Sequence, residues 1–380
     1  MPTFSNCVKC NTCNSKYRIR YGLGNNFPQK AVFTCENCSS EITTGIKKYG
    51  ENIYFEGATY LKGVDGFDDP TIKVVNLHPE LPITEGHESD PTYFSTIDHF
   101  PRFHNNTRDI FKFRELQTSW STFPEQWKNI EPPLRLLTYK DQFEMKSIFG
   151  LTFIEFSALF NDWVNTFCID EWVNRYSNIN AQLNTLIINE KNVKDYFKAN
   201  IQEWIEKIFE ICSTYMKVRE NFESTILFQK IGSIVPSSTK ASVKWSDIKG
   251  VYGDMYEIVT DLLLVITFAH NIKSGRNFNE FLHDDFSLEK YLKTDKAKRG
   301  LNFESDFEFK KLLAFIKPSL RNGTHHKKCK YFPYTNEIEL GTGKGGANPV
   351  KISLIEYVSN CNELFATGIY LSNIILKIIA

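Results

Sequence analysis

The sequence carries no net charge: 45 lysines and arginines stand against 45 aspartates and glutamates. That balance excludes a global basic excess, so any nucleic-acid binding must come from local patches. No secretion leader is expected either. Met-Pro-Thr-Phe-Ser-Asn-Cys has neither a basic start nor an apolar run, and the expected location is the cytoplasm. Residues 364–380 are apolar, but Asn373 and Lys377 interrupt them and the run is short for a bilayer span. A buried helix is expected there, and no membrane partner.

Familiar catalytic signatures are absent too. Residues 106–236 contain no Gly-rich phosphate loop, no paired carboxylates of distinctive spacing and no nucleophile elbow. Gly341-x-Gly343-x-Gly345-Gly346 leads into no strand-turn-helix unit, and Pro349 follows it, which excludes a nucleotide loop. The nine cysteines do not form a secreted disulfide framework. Five fall within the first 38 residues, while Cys168, Cys212, Cys329 and Cys361 are scattered.

What is present begins with those early cysteines. Cys7-Val-Lys-Cys10-Asn-Thr-Cys13 and Cys35-Glu-Asn-Cys38 place thiolates on two tight knuckles. Two such knuckles can converge on a tetrahedron, the geometry zinc prefers. Lys-Tyr-Arg-Ile-Arg-Tyr and Ala-Val-Phe-Thr between them read as short strands, and the whole resembles a zinc ribbon. Cys10, Cys13, Cys35 and Cys38 are the expected ligands of a structural Zn2+. Cys7 is the surplus thiol, with pairing of Cys7 and Cys10 as the alternative. A closed four-cysteine set leaves no open position for catalysis. Lys9, Lys16, Arg18, Arg20 and Lys30, with Tyr17 and Tyr21 among them, can follow a phosphate backbone and stack on bases; a solvated strand face is the plainer reading.

The length allows two or three domains. The fold expected is mainly α: a small β zinc ribbon over 1–48, short strands and linker over 49–105, a helical middle region over 106–236 and a helical bundle over 245–380. In the middle region, apolar residues recurring at three and four predict helices over 107–120, 140–148, 153–176 and 193–229. A further long helix is expected over 245–273. Ser305 with Glu308 reads as a capping box for a helix over 307–320, with a kink or break at Pro318. The widely spaced His78, His87, His99 and His104 read as ordinary surface or core histidines.

The chemistry concentrates in Leu-Arg-Asn-Gly-Thr-His-His-Lys-Lys, residues 320–328, at a helix end. Arg321 can grip a phosphate with two parallel hydrogen bonds and stabilise developing charge. Histidine can move a proton near neutral pH. Arg321 and His325 stand four apart, on one face of an unbroken helix, while His326 would point about 140° away.

The order Arg321-Asn322-x-x-x-His326, with the helices on either side, resembles the HEPN superfamily of small helical ribonuclease domains over roughly residues 245–380. The resemblance implies a metal-independent endoribonuclease that acts as a homodimer through this domain. It implies His326 as the proton-transfer residue, with His325 assisting, Arg321 as the stabiliser of the phosphorane-like state, and Asn322 as an orienting group. Lys317, Lys327, Lys328 and Lys330 would concentrate RNA at the site. Cleavage through the 2′-hydroxyl would leave a cyclic phosphate. A toxin-like or anti-phage effector, with a protein or nucleic-acid trigger, is the expected setting. The competing reading is a non-catalytic RNA-binding or scaffold protein on the same basic surface; a third is a DNA-binding regulator led by the ribbon. Arg, Asn and His at a helix end can also serve as plain C-terminal caps.

Overall fold

The computed structural model describes residues 3–24, 27–48, 50–64, 69, 71–78, 83, 89–90, 120–168, 170–223, 225–226, 243–281, 287–325, 329–333, 335–342 and 348–380. Helix predominates among them, with regular strands confined to 3–77 and 329–353. The chain groups into two compact units, each assembled from three segments. Met1–Ser121, Val218–Lys249 and Lys327–Ser359 form the first; Thr122–Lys217, Gly250–His326 and Asn360–Ala380 form the second.

The first unit holds all the strands described. β1 (Thr3–Cys10) and β2 (Lys16–Gly22) make an antiparallel hairpin, paired from Thr3 with Gly22 to Lys9 with Lys16. β3 (Gln29–Thr34) and β4 (Glu41–Ile46) make a second hairpin, extended by β5 (Tyr54–Glu56). β6 (Ala58–Tyr60) joins the outer edge of β1, and β7 (Lys73–Leu77) runs parallel to β2. The sheet order is therefore β6-β1-β2-β7 beside β3-β4-β5. Val8, Tyr17, Ile19, Tyr21, Ala31, Ile42 and Leu77 bury one common core between them.

Gly57 turns the chain from β5 into β6 with φ of +76°, and a Cβ there would sit 2.5 Å from the Glu41 carbonyl oxygen. Only glycine fits that corner.

The same unit includes a short helix, α7 (Trp245–Ile248), and a third sheet. That sheet comprises β8 (Cys329–Phe332), β9 (Glu337–Thr342) and β10 (Asn348–Ser353), in the order β10-β9-β8. The Trp245 ring packs on Tyr331 at 5.7 Å and on Tyr357 at 5.1 Å, and the Tyr357 hydroxyl donates to the Ile248 carbonyl at 2.9 Å.

The helices in chain order are α1 (Thr122–Leu137), α2 (Gln142–Phe149), α3 (Phe153–Phe167), α4 (Asp170–Leu186), α5 (Lys191–Ala199), α6 (Ile201–Met216), α7, α8 (Val251–Leu262), α9 (Leu264–Lys273), α10 (Leu288–Lys293), α11 (Pro318–His325) and α12 (Leu354–Ile379). Two 3-10 segments, Lys296–Phe303 and Phe309–Leu313, lie between α10 and α11.

Local chemistry sets many of these boundaries. Asp141 caps α2 by accepting from the Glu144 amide, and Gly150 closes it at φ of +70°. Thr152 and Glu155 form a reciprocal capping box on α3. The helix expected over 153–176 is two helices, parted at Cys168, whose backbone is extended. The one expected over 193–229 breaks at Asn200, whose side-chain amide donates to the Tyr196 carbonyl and competes with the backbone ladder. The cap near residue 305 is Asp306 rather than Ser305: its carboxylate accepts from the Glu308 and Phe309 amides at 2.9 and 3.0 Å. Pro318 opens α11 instead of kinking a longer helix, since its missing N–H is no loss in a first turn. The helix expected over 107–120 lies outside the described residues except for Trp120.

α1 was not expected, because it contains Pro132 and Pro133. Burial of Phe123, Trp127, Ile130 and Leu134 overrides that local penalty. Aromatic rings build the second unit's core. Phe365 of α12 stacks on Tyr215 at 3.8 Å and meets Phe167 edge-on at 4.9 Å. The polar groups that α12 buries are matched across the helices: Tyr215 donates to Asn362 at 2.8 Å, Tyr370 to Asn180 at 2.9 Å, and Arg175 pairs with Glu363 at 2.7 Å.

By length and composition, Trp245–Lys273 could cross a membrane, with a mean hydropathy of 1.3. However, 78% of that window is buried within the protein and the stretch is divided into α7, α8 and α9. It is core.

Candidate functional site

The two cysteine knuckles are built alike. Each is the turn of a hairpin, β1 to β2 and β3 to β4. In the first, the Cys10 amide donates to the Ser15 carbonyl and the Asn14 amide to the Cys10 carbonyl. In the second, the Cys35 amide donates to Ser40 and the Ser39 amide to Cys35. Asn14 and Ser39 adopt the left-handed conformation, with φ of 64° and 59°. A left-handed residue just past each second cysteine turns the chain back and aims both thiols inward.

The four sulfurs of Cys10, Cys13, Cys35 and Cys38 lie within 4.8 Å of one another. Cys10 and Cys38 are 3.7 Å apart, Cys13 and Cys35 3.5 Å. A tetrahedron of thiolates at metal–sulfur bonds of ~2.3 Å has edges of ~3.8 Å, so these four residues form a possible metal site with the donor set and spacing to fit. Cys7 is buried on β1, opposite Arg18, and is not in the cluster.

The surroundings also suit a cation. The Cys13 thiol is held down to about 6 by the Ser15 hydroxyl 3.2 Å away and by its amide. Cys38 is hydrogen-bonded to Ser40, yet burial and the neighbouring Cys13 and Cys35 sulfurs leave it raised to about 11. Four sulfurs so close do not all ionise without positive charge between them, and a dication supplies it. Tyr17 backs the site: its hydroxyl lies 3.1 Å from the Cys35 sulfur and accepts the Glu36 amide at 3.0 Å. Sequence reasoning passed over Ser15 and Ser40, and read Tyr17 as a ring for stacking rather than a partner of the cysteines. A serine two residues beyond the second cysteine of each knuckle was the signal that could have found the first two.

The ribbon's candidate nucleic-acid groups are largely turned inward. Tyr17 and Tyr21 are buried and present no ring to solvent. Arg18 is buried and donates to Ser5. Arg20 donates to Asn76 and to the Asp90 carbonyl, Lys16 pairs with Asp69 at 3.4 Å, and Lys30 pairs with Asp247.

The second candidate site lies in the helical unit. Arg321 stands on α11, with Asn322 beside it. Its guanidinium donates to the Glu257 carboxylate at 2.6 Å and to the Asn322 side-chain oxygen at 2.9 Å. Glu257 belongs to α8, and one turn further along the same helix is Asp261. Burial works against the charge of Asp261, yet Lys296, Arg299 and Lys207 together hold its carboxyl below the ordinary range. Lys207 of α6 lies 3.1 Å from it, and both Lys296 and Arg299 bond it directly. Lys296 also donates to the Glu257 carbonyl at 3.1 Å, which ties the two carboxylate positions together. Four cations from three elements thus gather on one side of α8 around two acids. Glu257 and Asp261 were legible only as two of the three acids on an amphipathic helix.

Not every expected residue joins this group. The Lys317 amide donates to the Tyr252 hydroxyl at 2.8 Å, which anchors the chain just before α11. His325 is the last residue of α11, four beyond Arg321, and its side chain lies outside the described atoms. His326, Lys327 and Lys328 lie outside the described residues, as does the 343–347 glycine loop. Lys330 is on β8 of the first unit, its ammonium 4.8 Å from the Phe332 ring. Of the four spaced histidines, His78 is buried at the end of β7, and the other three are outside the described residues. No family model, curated protein or solved structure matches this chain.

Proposed function

We propose that the helical unit is a metal-independent endoribonuclease of the HEPN kind. The observation that supports it most is Arg321 itself. A guanidinium stands midway along a short helix, braced by Glu257 and Asn322, among clustered cations that attract a phosphodiester. His326 takes the proton of the ribose 2′-hydroxyl and the 2′-oxygen attacks the adjacent phosphorus. Arg321 stabilises the charge on the pentavalent phosphorus, an effect worth ~3 kcal/mol for one well-placed donor. The 5′-oxygen leaves with a proton, and the other product ends in a 2′,3′-cyclic phosphate. His325 assists, Asn322 orients the arginine, and Lys317, Lys327 and Lys328 draw RNA in. A homodimer that joins two such motifs completes the site. α12 contributes little to that interface beyond residue 360, because its residues there are almost all buried by this chain's own helices. A toxin-like or anti-phage effector is the setting that suits such an activity.

We further propose that the cysteine site holds Zn2+ in a structural role. Four thiolates close the coordination sphere, so the ion organises the two hairpins and takes no part in cleavage.

A second reading rests on the same contact: an arginine already paired with Glu257 suits a non-catalytic RNA-binding surface equally well. Incubating the protein with total RNA in excess EDTA, beside Arg321→Ala and His326→Ala, separates the two. Cleavage by wild type alone, with cyclic-phosphate ends, supports the ribonuclease. Binding of RNA by all three without cleavage supports the second reading, and equal cleavage by all three refutes the proposed site.

A further inference from the structure

The first unit contains a partly open cavity of about 150 Å³ that neither candidate site uses. Its walls come from β2, β3, β4 and β7, with Val243 and the β8–β9 turn closing one side. A dry cavity of ~150 Å³ holds a single six-membered ring, which sets the size of the occupant. Val32, Phe33, Val75 and Val243 supply apolar contact, and Tyr17, Phe33 and Tyr331 supply aromatic rings.

Charge selects the chemistry. Among the described residues, the sixteen that line the cavity include two carboxylates, Glu36 and Glu41, and no lysine, arginine or histidine. A phosphate or carboxylate ligand therefore finds no counter-charge. Glu36 is already paired with Lys73. Glu41 is half-buried, and among the described residues no cation lies within ion-pair distance of it. Lys244 and Lys30 act on it only beyond ion-pair distance, and each is paired with another acid, Lys30 with Asp247 and Lys244 with Glu56 at 3.9 Å. Tyr331 donates its hydroxyl to Asn336 at 2.7 Å, which holds its ring in the wall. An unpaired carboxylate beside aromatic rings favours an organic cation, through charge and through the ring faces together.

We propose that this cavity is a binding site for a small organic cation of single-ring size, with its apolar body among Val32, Phe33, Val75 and Val243 and its charged end at Glu41. The occupant is coupled to the metal knuckle, because Tyr17 lines the cavity and its hydroxyl touches the Cys35 sulfur. This inference does not depend on the ribonuclease reading.

The probe is benzamidine, titrated calorimetrically into the full metal-loaded chain, with benzyl alcohol and benzoate as ring-sized neutral and anionic controls. Benzamidine should bind saturably, benzoate should not, and Glu41→Gln should weaken benzamidine about tenfold or more, the loss expected for one charged hydrogen bond. Val243→Phe, checked for an unchanged far-ultraviolet spectrum, should abolish binding by filling the cavity. On a cobalt-substituted sample, benzamidine should shift the thiolate absorption bands. No saturable benzamidine binding, equal affinity for benzoate, or binding unaffected by both Glu41→Gln and Val243→Phe would each overturn the proposal.

Discussion

The cysteine site and the arginine site are organised in opposite ways. The cysteine cluster is local: its four ligands sit on two hairpin turns, and each turn carries its own amide bonds, left-handed residue and serine. The arginine cluster is long-range. Arg321 meets Glu257, 64 positions earlier, and Asp261 collects cations from α6 and from the segment after α10. A local site can be repeated and transplanted; a site assembled across helices exists only when the whole helical unit is packed. Removing one ligand should therefore collapse the first, while single substitutions should leave the second folded but disarmed.

The largest effect expected is on the cysteine side. Chelation, or Cys10→Ser, should unfold the β hairpins around the site, since apparent binding energies of structural zinc reach ~10 kcal/mol or more. Loss of hydrogen-exchange protection over residues 3–60 checks this, and retained protection would break the contrast. On the arginine side, Arg321→Ala should lower RNA cleavage by roughly 10²–10³-fold while thermal unfolding hardly moves. Glu257→Gln should cost less, roughly tenfold, because the guanidinium stays but loses its brace.

Smaller effects test how tightly the helical unit is packed. A methyl group at Gly368 of α12 would lie 2.1 Å from Ile211 Cδ1 and 3.0 Å from Val259 Cγ2. Gly368→Ala should destabilise by ~1–3 kcal/mol, read as a lower midpoint in urea; an unchanged midpoint would mean that Ile211 yields freely.

A pH dependence marks the β unit. Burial holds the His78 imidazole far below its ordinary value, at about 3. The unfolded chain protonates this group near its usual ~6.5 while the folded one does not, so protons favour unfolding between those values. Its contribution to stability is intact above ~6.5 and falls by up to ~1.4 kcal/mol per pH unit as acid is added. His78→Gln should flatten that part of the pH profile relative to wild type.

Legibility in the sequence follows the same division. The knuckles and their strands could be read because spacing encodes a turn, whereas the choice of Cys10, Cys13, Cys35 and Cys38 over a Cys7–Cys10 pair came from the likeness to a zinc ribbon. Amphipathic helices could be read wherever apolar residues recur at three and four, as in α3 and α6. What escaped was set by distant packing. α1 forms through Pro132 and Pro133 because its buried face outweighs them, and no window of sequence reports that. Glu257 carries no mark of being the partner of Arg321. The two units, each stitched from three segments, cannot be written as consecutive ranges at all, since the contacts that define them join residues hundreds of positions apart.

The path of α12 has a consequence for biosynthesis. Its first turn belongs to the β unit and the rest supplies Phe365, Asn362 and Glu363 to the helical core. Neither unit is complete while residues 354–380 are still inside the ribosome. The nascent chain must therefore wait, with its aromatic helices exposed, until translation has passed this segment.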